Sequence, residues 1–94
     1  MGLTARLDSS PQEESIKVMR HAFDQGATFS NGSAHYGVPS NRTANLDLID
    51  AFFKEYPETK DEIFISIKGA FGADYKPDAS PENIRKSINT IWII

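Results

Sequence analysis

Cysteine is absent from this chain of 94 residues. Its absence excludes disulfides, thiolate metal sites and cysteine nucleophiles together. The chain has only two histidines and its acidic residues are scattered, so no spacing typical of a metal site occurs. We therefore expect no bound metal.

Basic runs and long apolar runs are missing as well. Lys plus Arg number 10 against 13 Asp plus Glu, a net charge of −3, and no stretch could follow a phosphate backbone. No apolar run approaches the roughly 18 residues that a membrane span needs, and no secretory signal follows Met1. We expect a soluble, cytoplasmic protein that binds neither nucleic acid nor a membrane.

The composition is that of a folded domain. Hydrophobic residues make up 39% of the chain and charged residues 24%, which is typical of soluble globular proteins and argues against disorder. Complete domains commonly have roughly 100 to 150 residues. Residues 1–94 are therefore one domain at most, and a short one for the elements it contains.

The first predicted helix covers residues 11–25. Ser10 is expected at its N-cap, Pro11 at its first position, and Glu13 closes a capping box with Ser10. Gly26 follows as the residue that ends the helix. Apolar side chains recur at helical spacing, so one face is expected to pack on a sheet.

Two further helices follow. The second runs from Thr43 until Pro57 stops it, with a wide apolar face. The third begins at Ser80 with the same Ser-Pro-acidic sequence as the first helix, and its apolar residues recur at i, i+4 and i+7: Ile84, Ile88 and Ile91.

Three short strands are predicted at residues 2–4, 27–30 and 63–68, the first being only the end of a strand. Alternation of strands and helices with short connections predicts right-handed βαβ crossovers and a parallel sheet. A (β/α)₈ barrel takes about 250 residues, so a βαβαβα chain would supply a little over a third of one. Both ends of the chain are expected to be cut.

Chemical groups follow the second and third predicted strands. Asn31 and Tyr36 come after one strand, and Lys68 ends the other, so all three are expected at the same edge of a parallel sheet. A free phenol has a pKa near 10 and donates poorly at neutral pH, whereas a nearby ammonium favours the phenolate. The alternative is that Tyr36 packs in a loop and Lys68 is solvated.

Other polar residues carry less weight. His35 is expected to be a surface loop residue, and His21 is expected to be solvated on the polar flank of the first helix. Ser30 and Ser33 lack a positioned histidine–acid pair, and no nucleophile elbow or phosphate-binding glycine loop occurs.

Four pieces of sequence together resemble a known family. They occur in this order: Gly2-Leu3-Thr4; Asp24-Gln25-Gly26-Ala27-Thr28-Phe29 with Asn31 and Tyr36-Gly37; Ile65-Ser66-Ile67-Lys68; and Ser80-Pro81-Glu82-Asn83-Ile84. They resemble the aldo-keto reductases, and most closely the fungal pyridoxal reductase-like branch, where Phe-Asn-x-Gly-x-x-x-Tyr-Gly is similar to residues 30–37. The resemblance implies a (β/α)₈ barrel that uses NADPH to reduce small-molecule carbonyls.

The resemblance also implies roles for single residues. Tyr36 would match the proton donor, and Lys68 the lysine that lowers the pKa of that donor. Asn31 stands where most of the family has an aspartate, within reach of both the lysine and the cofactor. Thr4 would lie near the cofactor, with Ala5 where a Trp is common. The family's catalytic histidine and much of its cofactor site correspond to positions beyond 94.

Two other interpretations remain open. The chain could be a truncated, non-catalytic fragment that associates with itself or a partner through open sheet edges. It could also belong to another (β/α) barrel or an open doubly wound domain in which Tyr36 and Lys68 are incidental. Whether the chain is part of a reductase or a truncated fragment, the 94 residues alone are expected to be inactive.

Overall fold

The computed structural model describes residues 2–92 and 94. This part of the chain forms, in order, α1 Gln12–Asp24, β1 Phe29–Ser33, α2 Ala44–Glu55, a 3₁₀-helix Pro57–Thr59, β2 Phe64–Lys68 and α3 Pro81–Ile91. The two strands pair in parallel and are connected through α2, as in a βαβ unit. The predicted α/β class with a parallel sheet is therefore confirmed.

The register of the sheet sets which side chains share a face. Asn31 lies opposite Ser66, and Ser33 lies opposite Lys68. The prediction that the first of these strands covers residues 27–30 is wrong, because the ladder with β2 continues through Asn31 to Ser33. Asn31 is therefore a strand residue and does not belong to the following loop.

Side chains of α1 and α2 cover one face of the sheet. The core consists of Ile16 from α1 and four buried residues of α2, with the isoleucines of β2 packed against it: Leu48, Ile49, Phe52, Phe53, Ile65 and Ile67. Alternation along β2 turns Phe64, Ser66 and Lys68 to the opposite face. On that face Phe29 and Phe64 stack with ring centroids 5.6 Å apart and are 62% and 67% exposed.

The predicted strand at residues 2–4 is wrong, because these residues form a turn. Leu3 packs against the core, and the Thr4 hydroxyl accepts a hydrogen bond from the Asn45 side chain. Neither contact provides the ladder of backbone hydrogen bonds that defines a strand. In the described part of the chain, β1 pairs only with β2.

Helix ends follow the local signals, with one exception. The Ser80 hydroxyl caps α3 by accepting from the Asn83 amide at 3.3 Å, and α2 begins after Thr43, both as predicted. The predicted Ser10 cap of α1 is wrong. Pro11 has an extended ψ of 148° and occupies the N-cap position itself, while its carbonyl accepts the first helical hydrogen bond from Ser15 at 3.0 Å.

The last helix is the least buried. α3 has no buried residue among those described, and Ile88 and Trp92 are 53% and 84% exposed. The predicted apolar stripe of α3 is thus present but largely uncovered. In residues 2–92 and 94 we find no helix with the length and apolar character needed to cross a membrane.

Candidate active site

Three of the predicted site residues meet at the carboxyl end of the sheet. Lys68 is the last residue of β2, and its ammonium donates a hydrogen bond to the Asn31 Oδ1 of β1. The same ammonium lies 4.9 Å from the centroid of the Tyr36 ring. Parallel pairing produces this grouping because it brings both strand ends to one edge of the sheet.

The Asn31 amide is oriented by its two partners. Its Oδ1 faces Lys68, which can only donate, and its Nδ2 donates to the Ser66 carbonyl at 3.4 Å. The amide holds the ammonium without neutralising it. Among the described residues no carboxylate pairs with Lys68, so its positive charge acts directly on the face of Tyr36.

Tyr36 lies three residues beyond β1 and is half-buried. Its amide donates to the Ser33 carbonyl at 3.4 Å, which ties the loop back to the strand. Lys68 covers one side of the phenol in a cation–π contact. The His35 ring lies edge-on to the phenol, with the centroids 5.3 Å apart.

His35 is not the surface loop residue that the sequence suggested. Its ring is half-buried and stacks on Phe71 at 4.0 Å, and its Nδ1 lies 2.6 Å from the Ser33 hydroxyl. Burial, followed by the positive charges of Arg42 and Lys68, lowers the pKa of His35 and favours the neutral imidazole. A serine two residues before the histidine was the available signal, because serine hydroxyls commonly bond to nearby groups in turns.

Thr4 reaches the site only indirectly. The Thr4 hydroxyl accepts from the Asn45 Nδ2 at 3.2 Å, and the Asn45 Oδ1 accepts from the Ser33 amide at 3.0 Å. Asn45 is buried next to Gly32. A Cβ at position 32 would lie 2.6 Å from the Asn45 Oδ1, so the glycine leaves room for this side chain. Sequence reasoning missed Asn45, which connects the N-terminal turn to the end of β1.

The loops that follow the two strands hold one another. Arg42 donates to the Gly72 carbonyl at 2.8 Å and lies 4.3 Å from the Tyr75 ring centroid. The Tyr75 hydroxyl donates to the Gly37 carbonyl at 3.4 Å. Gly37 must be a glycine, because a Cβ there would lie 2.0 Å from the Asn41 carbonyl oxygen. These contacts fix the loop that carries Tyr36.

A cleft of about 200 Å³ opens beside His35, between these loops and α3. Arg42 and Lys86 both line it, which makes its charge positive. The Ser87 hydroxyl in this cleft accepts from the Ala70 amide at 3.0 Å. In the part of the chain that the structure describes, no three histidine or acidic side chains are grouped to hold a metal ion.

The amino-acid sequence of this chain is similar to those of known proteins. The model of the Aldo/keto reductase family matches residues 1–92. Probable pyridoxal reductase 2 of Schizosaccharomyces pombe is 38% identical over 91 residues, which cover 94% of this chain and 26% of the yeast protein. The NADP(+) aldo-keto reductase yakc of the same yeast is 33% identical over 96 residues, covering 95% of this chain and 26% of the relative.

The chain therefore spans about a quarter of the length of these curated relatives. The family match nevertheless covers nearly all of its own residues, including both strands and all three helices. The chain belongs to the aldo/keto reductase family.

Proposed function

We propose that the chain is the N-terminal part of a (β/α)₈ NADPH-dependent reductase that converts a small-molecule aldehyde or ketone to an alcohol. The observation that carries this proposal is the contact of the Lys68 ammonium with both the Asn31 amide and the Tyr36 ring. Pyridoxal is the substrate to test first, because the name of a relative contains it. The cytoplasmic location stays a prediction from the sequence.

Tyr36 is the proton donor in this proposal. The carbonyl carbon receives a hydride, which NADPH supplies when bound, and the carbonyl oxygen receives the phenolic proton. The phenol is left as a phenolate. The adjacent Lys68 ammonium stabilises that negative charge, and the neutral Asn31 amide keeps the ammonium in place without reducing its charge.

Two polar side chains of this chain fit the cofactor. The Thr4 hydroxyl accepts from Asn45 and retains its own proton to donate, and Asn31 is exposed on the open face of the sheet with one amide proton beyond its bond to Ser66. Both can therefore donate to an amide or phosphate oxygen. We propose them as the cofactor contacts that this part of the protein contributes.

The test uses a chimera, because the chain matches only 26% of its relative. Its residues replace the matched segment of probable pyridoxal reductase 2 of S. pombe, and the oxidation of NADPH with pyridoxal is followed. We expect turnover by the chimera. We expect Tyr36→Phe to lower kcat by about 100-fold or more, the usual contribution of a general acid.

Tyr56→Phe is the matched control, because Tyr56 loses the same hydroxyl but lies at the end of α2, packed on Phe52. It should retain the turnover of the unmodified chimera. If the chimera is active and Tyr36→Phe has the same kcat as Tyr56→Phe, Tyr36 is not the proton donor.

A second candidate function is supported by the uncovered apolar surface. Phe29 and Phe64 are exposed on the open face of the sheet, and α3 has no buried residue among those described. Open parallel strands and exposed apolar side chains favour pairing with another chain. We propose a second copy of this chain as the occupant, in a non-catalytic complex, and the oligomeric state in solution as the test.

A further inference from the structure

We propose that His35 is a positioning residue for Tyr36, and that its anchored imidazole holds the phenol ring against the Lys68 ammonium. This role rests on the proposed function, because it matters for catalysis only if Tyr36 is the proton donor. The contact itself is independent of turnover and is tested separately below.

The anchor of His35 is the hydroxyl of Ser33, the last residue of β1. That hydroxyl lies 2.6 Å from the His35 Nδ1 and 3.2 Å from the Lys68 carbonyl oxygen. Ser33 is fully buried, and its amide donates to Asn45. The imidazole is therefore tied to the ends of both strands at once, where Asn31 and Lys68 also lie.

The His35 ring also stacks on a second aromatic ring. Phe71, in the loop after β2, stacks on it at 4.0 Å with an angle of 26° between the planes. The edge contact with Tyr36 uses the same ring at 5.3 Å. Stacked and edge-to-face aromatic pairs have preferred geometries, so Phe71 and His35 together set where the phenol can lie.

The consequence is a phenol held between two groups. Lys68 contacts the Tyr36 ring at 4.9 Å, and His35 contacts it at 5.3 Å. Without the imidazole, the cation–π contact with Lys68 is the described contact that remains at the Tyr36 ring. Small displacements of a reacting group reduce catalysis strongly, so the loss should act on kcat more than on KM.

The first measurement is an NMR comparison on the 94-residue chain itself. The wild-type chain should show nuclear Overhauser contacts from the Tyr36 ring to the Lys68 side chain. His35→Ala should lose them while the amide signals of α2 stay unchanged. His35→Phe should recover them only in part, since it restores a ring between Phe71 and Tyr36 but not the bond to the Ser33 hydroxyl. Ser33→Ala tests the anchor alone and should weaken them.

Three results would overturn the role of His35: no Tyr36–Lys68 contact in the wild-type chain, contacts that persist in His35→Ala, or contacts that His35→Phe does not recover even in part in a folded chain. In the reductase chimera, His35→Ala should lower kcat on the order of 10-fold to 100-fold, and His35→Phe should restore part of this loss. A failure of Tyr36→Phe to reduce turnover contradicts the proposed function, whereas the change of the NMR contacts between wild type and the His35 variants reports on His35.

Discussion

At the scale of single residues, the protonation of His35 makes the stability of the chain depend on pH. Its pKa in the folded chain is lowered by burial and by the charges of Arg42 and Lys68. As the pH falls through the ordinary histidine value of about 6.5, the unfolded chain therefore binds a proton before the folded chain does. The free energy of unfolding should fall over this range and level off once folded His35 is also protonated.

Urea unfolding between about pH 7.5 and pH 5.5 measures this dependence, above the range in which carboxylates titrate. His35→Phe should show a smaller loss of stability on acidification than the wild type. The matched variant for comparison is His21→Gln, which removes the exposed histidine of α1 and leaves His35 in place. Equal slopes for wild type and His35→Phe would show that His35 does not titrate differently in the folded state.

Part of the candidate site could be predicted from the sequence. Asn31, Tyr36 and Lys68 were grouped correctly, because parallel strands bring their ends to one edge regardless of the details of packing. The positions of His35 and Asn45 depend on Phe71 and Thr4, which are distant in the sequence. No local pattern encodes these long-range contacts, and only the contact between Ser33 and His35 had a local signal.

At the scale of elements, two similar Ser-Pro sequences have different roles. Ser80 caps α3, whereas Ser10 lies outside the cap position of α1. Ser80→Ala should therefore cost about 1 kcal/mol of α3 stability, measured as faster amide exchange in its first turn. Ser10→Ala is the matched control and should change exchange in α1 little. Unchanged exchange in α3 after Ser80→Ala would show that the Ser80 hydrogen bond does not stabilise α3.

Both starts were predicted from the same sequence signal, and only the one at α3 was correct. The signal locates a helix end to within a residue, because Pro fits either just inside the helix or at its cap. The outcome is decided by the ψ angle of Pro11, whose carbonyl already accepts the first helical hydrogen bond. That angle depends on how the preceding turn packs, which the local sequence does not specify.

Two phenylalanines differ in their exposure to solvent. Phe52 of α2 is 1% exposed in the core, and Phe64 of β2 is 67% exposed on the open face. Phe52→Ala should cost about 3–5 kcal/mol, the usual effect of truncating a buried aromatic residue. Phe64→Ala should cost about 1 kcal/mol, since it removes chiefly the stack with Phe29. Urea unfolding of dilute samples compares them, and equal costs would contradict the described burial.

At the scale of the whole molecule, the α/β class was predictable and the extent of the sheet was not. The helices and the parallel pairing of two strands were predicted correctly from the sequence, although β1 ends at Ser33 and not at residue 30 as predicted. The first predicted strand, at residues 2–4, rested on three residues alone, too few to show a period of two. These residues are held by the packing of Leu3 and the side chain of Thr4, so pattern alone could not distinguish a turn from a strand.

The uncovered face of the sheet predicts association of the isolated chain. Phe29 and Phe64 present two stacked rings to solvent beside the open edges of both strands. Burying one phenylalanine side chain contributes about 1.5–3 kcal/mol, and a second copy would bury such rings from both partners. Sedimentation velocity should therefore show a sedimentation coefficient that rises with concentration.

Phe64→Glu should weaken this association at least about tenfold, the factor that corresponds to about 1.4 kcal/mol, because it places a charge in the buried interface. Val18→Glu is the matched control. Val18 is 56% exposed on α1, which covers the opposite face of the sheet, so its charge would stay in water. A wild-type chain that stays monomeric at all concentrations, or an equal effect of the two variants, would exclude the sheet face as the interface. Weakening by Phe64→Glu alone would show that the open face, and not general apolar exposure, drives self-association.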